Sequence, residues 1–242
     1  LVRKRFGDGD YAKAPGELLQ DLKSDFALFT LVIKELLQVG KSEGAPGATL
    51  HNPVELIKWA GPVRINKILS DEKKLPAIHS LHWSEPFQIS RLRETAISAS
   101  TASLLSEKRN LDPEMGFARG VVREIGLNLI AWNYPTLYSR VIEKLQAGQI
   151  LDDELSKELG FTPTLLAVRI MRPDVDDNDP QVEEVERQWN LYDDLCEIGE
   201  ALARAEHPDT YPSAENDWEK ARDFLTETLG ADAIQLVKGR AH

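Results

Sequence analysis

Apolar residues recur at spacings of three and four almost from one end of this chain to the other, and nowhere do they alternate over a strand-length run. That period matches the 3.6-residue turn of an α-helix, so the chain is constrained to an all-α fold. Leu18, Leu22, Phe26, Phe29, Ile33, Leu36 and Leu37 make the first such stripe, with Ser24 placed to break it into two helices. Residues 40–52 (GKSEGAPGATLHN) read as a Gly-rich loop. Asn52-Pro53-Val54-Glu55 then supplies an N-cap, a proline at the first helical position and an acid in the first turn. Gly61-Pro62 ends that helix and starts another, which is expected to run to about Lys74.

The punctuation continues to the C-terminal end. A long helix is expected over about Phe87–Lys108, with Ile89, Leu92, Ala96, Ala99 and Leu105 inward. Asp112-Pro113-Glu114 caps the next, whose stripe is Phe117, Val121, Ile125 and Leu129, while Gly116 and Gly120 let a neighbour approach. Pro135 opens a helix and Gly148 closes it; Leu151–Leu159 is followed by Gly160, and Thr162-Pro163 caps another. From Val182 the positions Val185, Trp189, Tyr192, Cys196, Gly199 and Leu202 predict one long amphipathic helix. Trp218, Ala221, Leu225 and Thr228 mark one more, closed by Gly230, with a short helix expected over Asp232–Lys238.

Composition narrows the setting. The chain of 242 residues carries a net charge of −11. A uniformly acidic surface repels phosphate, so duplex nucleic acid and an anionic membrane surface are not expected partners. At this length about 70% of the unfolded surface can be buried, so no staple is needed. The one cysteine, Cys196, forms no intrachain disulfide and suits a reduced, cytoplasmic setting. No apolar run reaches the roughly 18–20 residues of a spanning helix, so membrane insertion is not expected. The chain opens on Leu1 rather than Met, so a native start upstream of Leu1 is an expectation only.

Several short motifs look like chemistry and fail on spacing. Gly40-Lys41-Ser42 ends like a phosphate loop, but Glu35 stands where the first glycine belongs, and a helix rather than a strand precedes it. Asp174, Asp176 and Asn178 mimic a calcium loop, yet Asp179 and Val185 occupy its glycine and closing glutamate positions. His79, His82 and Glu85 would share one helix face, but Pro76 and Pro86 bracket them. Ser70 and Lys73 match a serine–lysine spacing without its partner motifs. The acidic segment from Asp174 to Glu186, with Asp174, Asp176, Asp177 and Asp179, reads first as a solvated loop and second as a surface for a basic partner.

The stretch Leu111–Met171 is more specific. It combines an acidic helix start, Phe117-Ala118-Arg119-Gly120, Ile125-Gly126, Pro135, Tyr138, Glu154 and Gly160-Phe161 in that order. In this it resembles the HDOD domain, the HD-related output domain of bacterial signalling proteins. Asn52–Leu69 is similar to the family's upstream segment, and LYDDLCEIGEALARAEHP to its closing helix. The resemblance implies a single domain over 1–242 with a degenerate HD-like helical fold: an N-terminal helical part over about 17–77 and an HD-like part over about 78–242.

True HD-type hydrolases hold divalent metals on His and Asp ligands. At the matching positions this chain has Arg123-Glu124, with Glu94 on the upstream helix and Thr162 and Thr164 after Gly160-Phe161. A guanidinium is a permanent cation with no free lone pair, so Arg123 cannot ligate a metal. By themselves Arg123 and Glu124 read as solvated charges on a helix face or as a structural ion pair. The resemblance therefore implies a signalling or regulatory module that is not an enzyme, uses no cofactor, and binds a protein partner or a small ligand. Two alternatives stand beside it: an HD-type metal-dependent phosphohydrolase with a non-standard site, and a nucleotide-sensing domain with Arg123 on the phosphate.

Overall fold

The computed structural model describes residues 5, 15–23, 26–45, 53–71, 86–145, 149–171, 187, 190–233 and 235. Among them are ten α-helices and no strand, so the fold is all-α. The chain divides into two units, Leu1–His82 with Ile170–Pro173, and Trp83–Arg169 with Asp174–His242.

The first unit contains α1 (Pro15–Lys23), α2 (Phe26–Glu43) and α3 (Pro53–Leu69), each packed on the other two. Leu18 and Leu22 of α1, Phe29, Val32, Ile33 and Leu36 of α2, and Leu56, Ile57, Ile65 and Leu69 of α3 are buried together. Their three- and four-residue spacing is the stripe seen in the sequence. The expected break at Gly61-Pro62 is a kink inside α3. Gly61 has φ 64° and ψ 174°, a conformation open to glycine, and Pro62 brings no N–H to continue the ladder. α2 runs to Glu43, four residues into the stretch read as loop, because Gly40 keeps the helix going and Ala45 N donates to Gly40 O.

The second unit contains α4 (Pro86–Lys108), α5 (Pro113–Asn133), α6 (Pro135–Lys144), α7 (Leu151–Leu159), α8 (Pro163–Met171, as far as Arg169), α9 (Asp193–Ala205) and α10 (Ala214–Leu229). α4 lies along α5 and along α9, and α10 packs on α9. Asp112 caps α5 by accepting from Glu114 N at 2.9 Å, and Thr162 caps α8 by accepting from Leu165 N at 3.0 Å. α7 ends at Gly160, whose φ of 77° is the left-handed cap the sequence implied.

α5 is buried along most of its length, and its small residues set how close the neighbours come. A Cβ on Gly120 would lie 2.7 Å from Ala99 Cα of α4, and one on Gly126 would collide with Pro163 O of α8. On α9, a Cβ at Gly199 would lie 2.5 Å from Ser98 O. Around Leu127, Ile130, Tyr138, Ile142, Leu151 and Leu155 the unit builds an ordinary apolar cluster, with the Phe87 and Tyr138 rings 5.2 Å apart.

Three local expectations are corrected. Leu92, assigned to the inner face of α4, is 39% exposed. The buried face of α4 instead carries Arg91, Glu94, Thr95, Ser98 and Thr101 beside Ala99, Ala102 and Leu105. α6 stops at Lys144, before Gly148, because Leu145 turns extended. The helix expected from Val182 to Leu202 is interrupted by a turn at Leu191–Tyr192, after which α9 begins at Asp193. His79, His82, Glu85 and the acidic segment from Asp174 to Glu186 lie outside the described residues.

Candidate functional site

The second unit folds a chain of charges into its interior. Arg91, fully buried on α4, is the first hub. Its Nη1 donates to Glu94 Oε2 at 2.7 Å, its Nη2 to Glu124 Oε2, and its Nε to Asn128 Oδ1 at 2.8 Å. Tyr211 OH donates to the same Glu94 oxygen at 2.7 Å. One turn of α4 places Glu94 on the face of Arg91, and one turn of α5 places Asn128 below Glu124. Burial pushes both carboxyls up from the usual range, and the Arg91 guanidinium opposes that shift.

Arg204, on α9, is the second hub. It holds Asp217 of α10 in a two-pronged bond at 2.9 and 3.0 Å, and donates to Glu200 one turn earlier at 2.6 Å. Ser213 Oγ donates to Asp217 at 2.7 Å. Glu200 then reaches the other way, accepting from Arg123 Nη2 at 3.3 Å.

Arg123 opens the third part of the chain. With Arg119 one turn before it on α5, it forms the inner wall of a cavity of about 290 Å³ between α5, α7, α9 and the turn at Thr162–Thr164. Both arginines are only 3% exposed. Arg119 donates to Asp193 and, at 3.3 Å, to Thr164 Oγ1. Arg123 Nε lies 3.3 Å from Asp152 Oδ2, and its Nη1 lies 3.9 Å from Asp193. Burial favours a neutral guanidine at Arg123, but Asp152 and Glu200 outweigh it and keep the group charged. Burial pushes the Asp152 carboxyl up to about 7, with Arg123 pulling against it. Glu197, half-buried on the same cavity, is raised for the same reason. Cys196 beside it is sealed, and burial pushes its thiol up to about 12, so it has no thiolate character at neutral pH.

The five residues singled out in the sequence thus separate. Arg123, Thr162 and Thr164 line the cavity, while Glu94 and Glu124 lie deeper against Arg91. Arg123 and Glu124 are not solvated charges: they are 3% and 0% exposed. The residues do not fit a divalent metal. Arg123 offers a cation at the position of a ligand, and each of the two glutamates already spends one oxygen on a guanidinium. Among the described residues no group of three or more His, Cys, Asp or Glu side chains converges as a metal site would require.

Sequence reasoning missed Arg91, Arg119, Asp152, Asp193, Glu200, Arg204 and Asp217. A signal existed for two pairs. Arg119 and Arg123 share a turn with the close-packing Gly116 and Gly120, and Glu200 and Arg204 share a turn with Gly199. A charged residue level with a glycine on a buried stripe has no room to reach solvent past the neighbour.

Compared with protein-family models, with curated proteins and with solved structures, the chain finds no match in any of the three. Among the described residues no helix is long and apolar enough to cross a membrane.

Proposed function

We propose that this chain is a non-enzymatic regulatory module of bacterial signalling, cytoplasmic and of the HDOD kind, which binds a protein partner or a small ligand and passes on a conformational state. One observation carries the reading. At the positions where the resemblance calls for metal-binding His and Asp, Arg123 and Glu124 are buried and engaged in ion pairs with Asp152, Glu200 and Arg91. A permanent cation there repels the ion that HD-type hydrolysis requires. The cavity beside Arg119 and Arg123 supports the small-ligand form of the reading, since a concave site with a few convergent polar groups is how small molecules are held.

The test is elemental analysis of protein purified without chelator, joined to a phosphodiester hydrolysis assay with added manganese, iron or magnesium. The expected result is no stoichiometric transition metal and no turnover. One equivalent of bound metal together with turnover sinks the reading and restores the phosphohydrolase.

A further inference from the structure

The buried network of the second unit holds more carboxyl groups than cations. Arg91, Arg119, Arg123 and Arg204 face Glu94, Glu124, Asp152, Asp193, Glu200 and Asp217, four against six. We infer that the Glu94–Glu124 pair around Arg91 holds one proton at neutral pH, resting mainly on Glu124, and that the second unit opens more readily once alkaline pH removes it.

One guanidinium serves both carboxyls. Arg91 Nη1 donates to Glu94 Oε2 at 2.7 Å and Nη2 to Glu124 Oε2, and both glutamate side chains are at most 1% exposed. Glu94 Oε1 and Glu124 Oε1 are sealed as well, with no partner of hydrogen-bond geometry. Two ionised carboxylates there would bury one charge more than Arg91 offsets, together with two bare anionic oxygens, and that is costly away from water. A proton on one of them removes the excess charge and leaves both Arg91 bonds in place.

The surroundings of the two carboxyls choose the seat. Glu94 Oε2 accepts from Tyr211 OH at 2.7 Å as well as from Arg91, and Arg204 of α9 adds a further positive field. Glu124 Oε2 accepts from Arg91, while Glu94 of α4, Glu200 of α9 and Asp152 of α7 bring their negative charges toward it. Arg123, its neighbour on α5, turns to Asp152 and Glu200, and Cys196 of α9 is an uncharged thiol. Donors and cations at Glu94 favour the ion, and like charges at Glu124 favour the acid. Burial is the largest push on the Glu124 carboxyl, upward from its ordinary 4.5; Arg91 opposes it, and Glu200 and Glu94 add to it. Gly120, one turn earlier on α5, lies against the backbone of Ala99, so an ionised Glu124 has no path to water between α4 and α5 while the unit stays folded. The folded chain therefore binds this proton more tightly than the unfolded chain does. The contribution to stability is complete below the ordinary 4.5 and is lost as pH rises through the higher folded value.

Infrared spectroscopy in heavy water reads the proton directly, because a neutral carboxyl has a carbonyl stretch that ionised carboxylates lack. The measurement uses the full chain carrying Asp152→Asn, so that Asp152 adds no such band. At pH 7 a neutral-carboxyl band is expected, and adding Glu124→Gln should remove about one group's worth of it. Urea midpoints in the same background should fall as pH rises from 6 to 9. Glu124→Gln should flatten that fall and keep the pH 7 midpoint, since an amide stands in for the neutral acid. Glu94→Gln should lower the pH 7 midpoint, since Arg91 and Tyr211 then donate to an amide in place of an ion. No neutral-carboxyl band at pH 7, in this background or in the parent, overturns the inference. So does a band or a pH slope that Glu124→Gln leaves unchanged, a Glu124→Gln chain that fails to fold, or a midpoint lower for Glu124→Gln than for Glu94→Gln. Metal and turnover play no part in either readout, so this result and the regulatory reading fail separately.

Discussion

The two units are built on different interiors. In the first, every buried side chain among the described residues is apolar, and the ion pairs lie at or near the surface: Arg64–Glu43 and Lys58–Glu55 are between 42% and 61% exposed, while Arg5, 24% exposed, reaches Glu17 and Asp21. In the second, Arg91, Arg119, Arg123 and Arg204 are at most 4% exposed, and carboxylates of Glu94, Glu124 and Glu200 are sealed with them. The first interior is held by surface removed from water, which is indifferent to direction. The second adds charges whose desolvation is offset only if each partner stands in place. An apolar interior loses strength in proportion to what is removed. A charged one is stabilised or undone in units of a pair.

The sharpest way to test this contrast is to take away one hub. Arg91→Met leaves Glu94 and Glu124 buried without their cation, and should destabilise the second unit by about 3–5 kcal/mol in denaturant titration. Adding Glu94→Gln and Glu124→Gln to that variant should recover a large part of the loss. A variant as stable as the parent would show that the network contributes nothing as a pair. In the first unit, Leu36→Ala should cost about 3 kcal/mol through a cavity, with no second change needed to interpret it. A loss below about 1 kcal/mol would mean that α2 collapses into the space and that the first core is loosely specified.

The smallest effect per step is a slope. The Asp152 carboxyl sits near 7 in the folded protein against an ordinary value of 3.8, so the native state binds its proton more tightly than the unfolded one. The sign follows: this contribution is fully present below about pH 4 and is lost as pH rises through 7, at no more than about 1.4 kcal/mol per pH unit. Asp152→Asn should remove it. Denaturant midpoints measured from pH 5 to 8 should therefore fall less steeply with pH in the variant than in the parent. Parallel profiles would refute the shift.

The same contrast explains what could be read in advance. α2 was legible because Phe29, Ile33, Leu36 and Leu37 are apolar and their spacing states which face is inside. The caps at Asp112 and Thr162 and the stop at Gly160 were legible because each is decided by one residue and its immediate neighbours. α4 was not, since its inner face carries Arg91, Glu94, Thr95 and Ser98, and a polar residue gives the same signal whether it faces water or a buried partner. The partners of Arg123 come from α7 and α9, up to 77 residues away along the chain, so no local window contains both ends of the pair. Arg123 and Thr164 were named from a resemblance, and the cavity they share needed Asp152 and Asp193 before its chemistry could be stated.

The glycine contacts of α4 bear on how rigidly this unit is held together. Gly120 sets the α5 backbone against Ala99, and Gly199 sets the α9 backbone against Ser98, the next residue along. α4 is therefore gripped at one level from two directions, main chain to main chain, with no side chain between to yield. A lever pinned in this way has a fulcrum but no travel. α4 therefore cannot slide or turn by itself: any movement of it must carry the backbones of α5 and α9 along as one rigid piece.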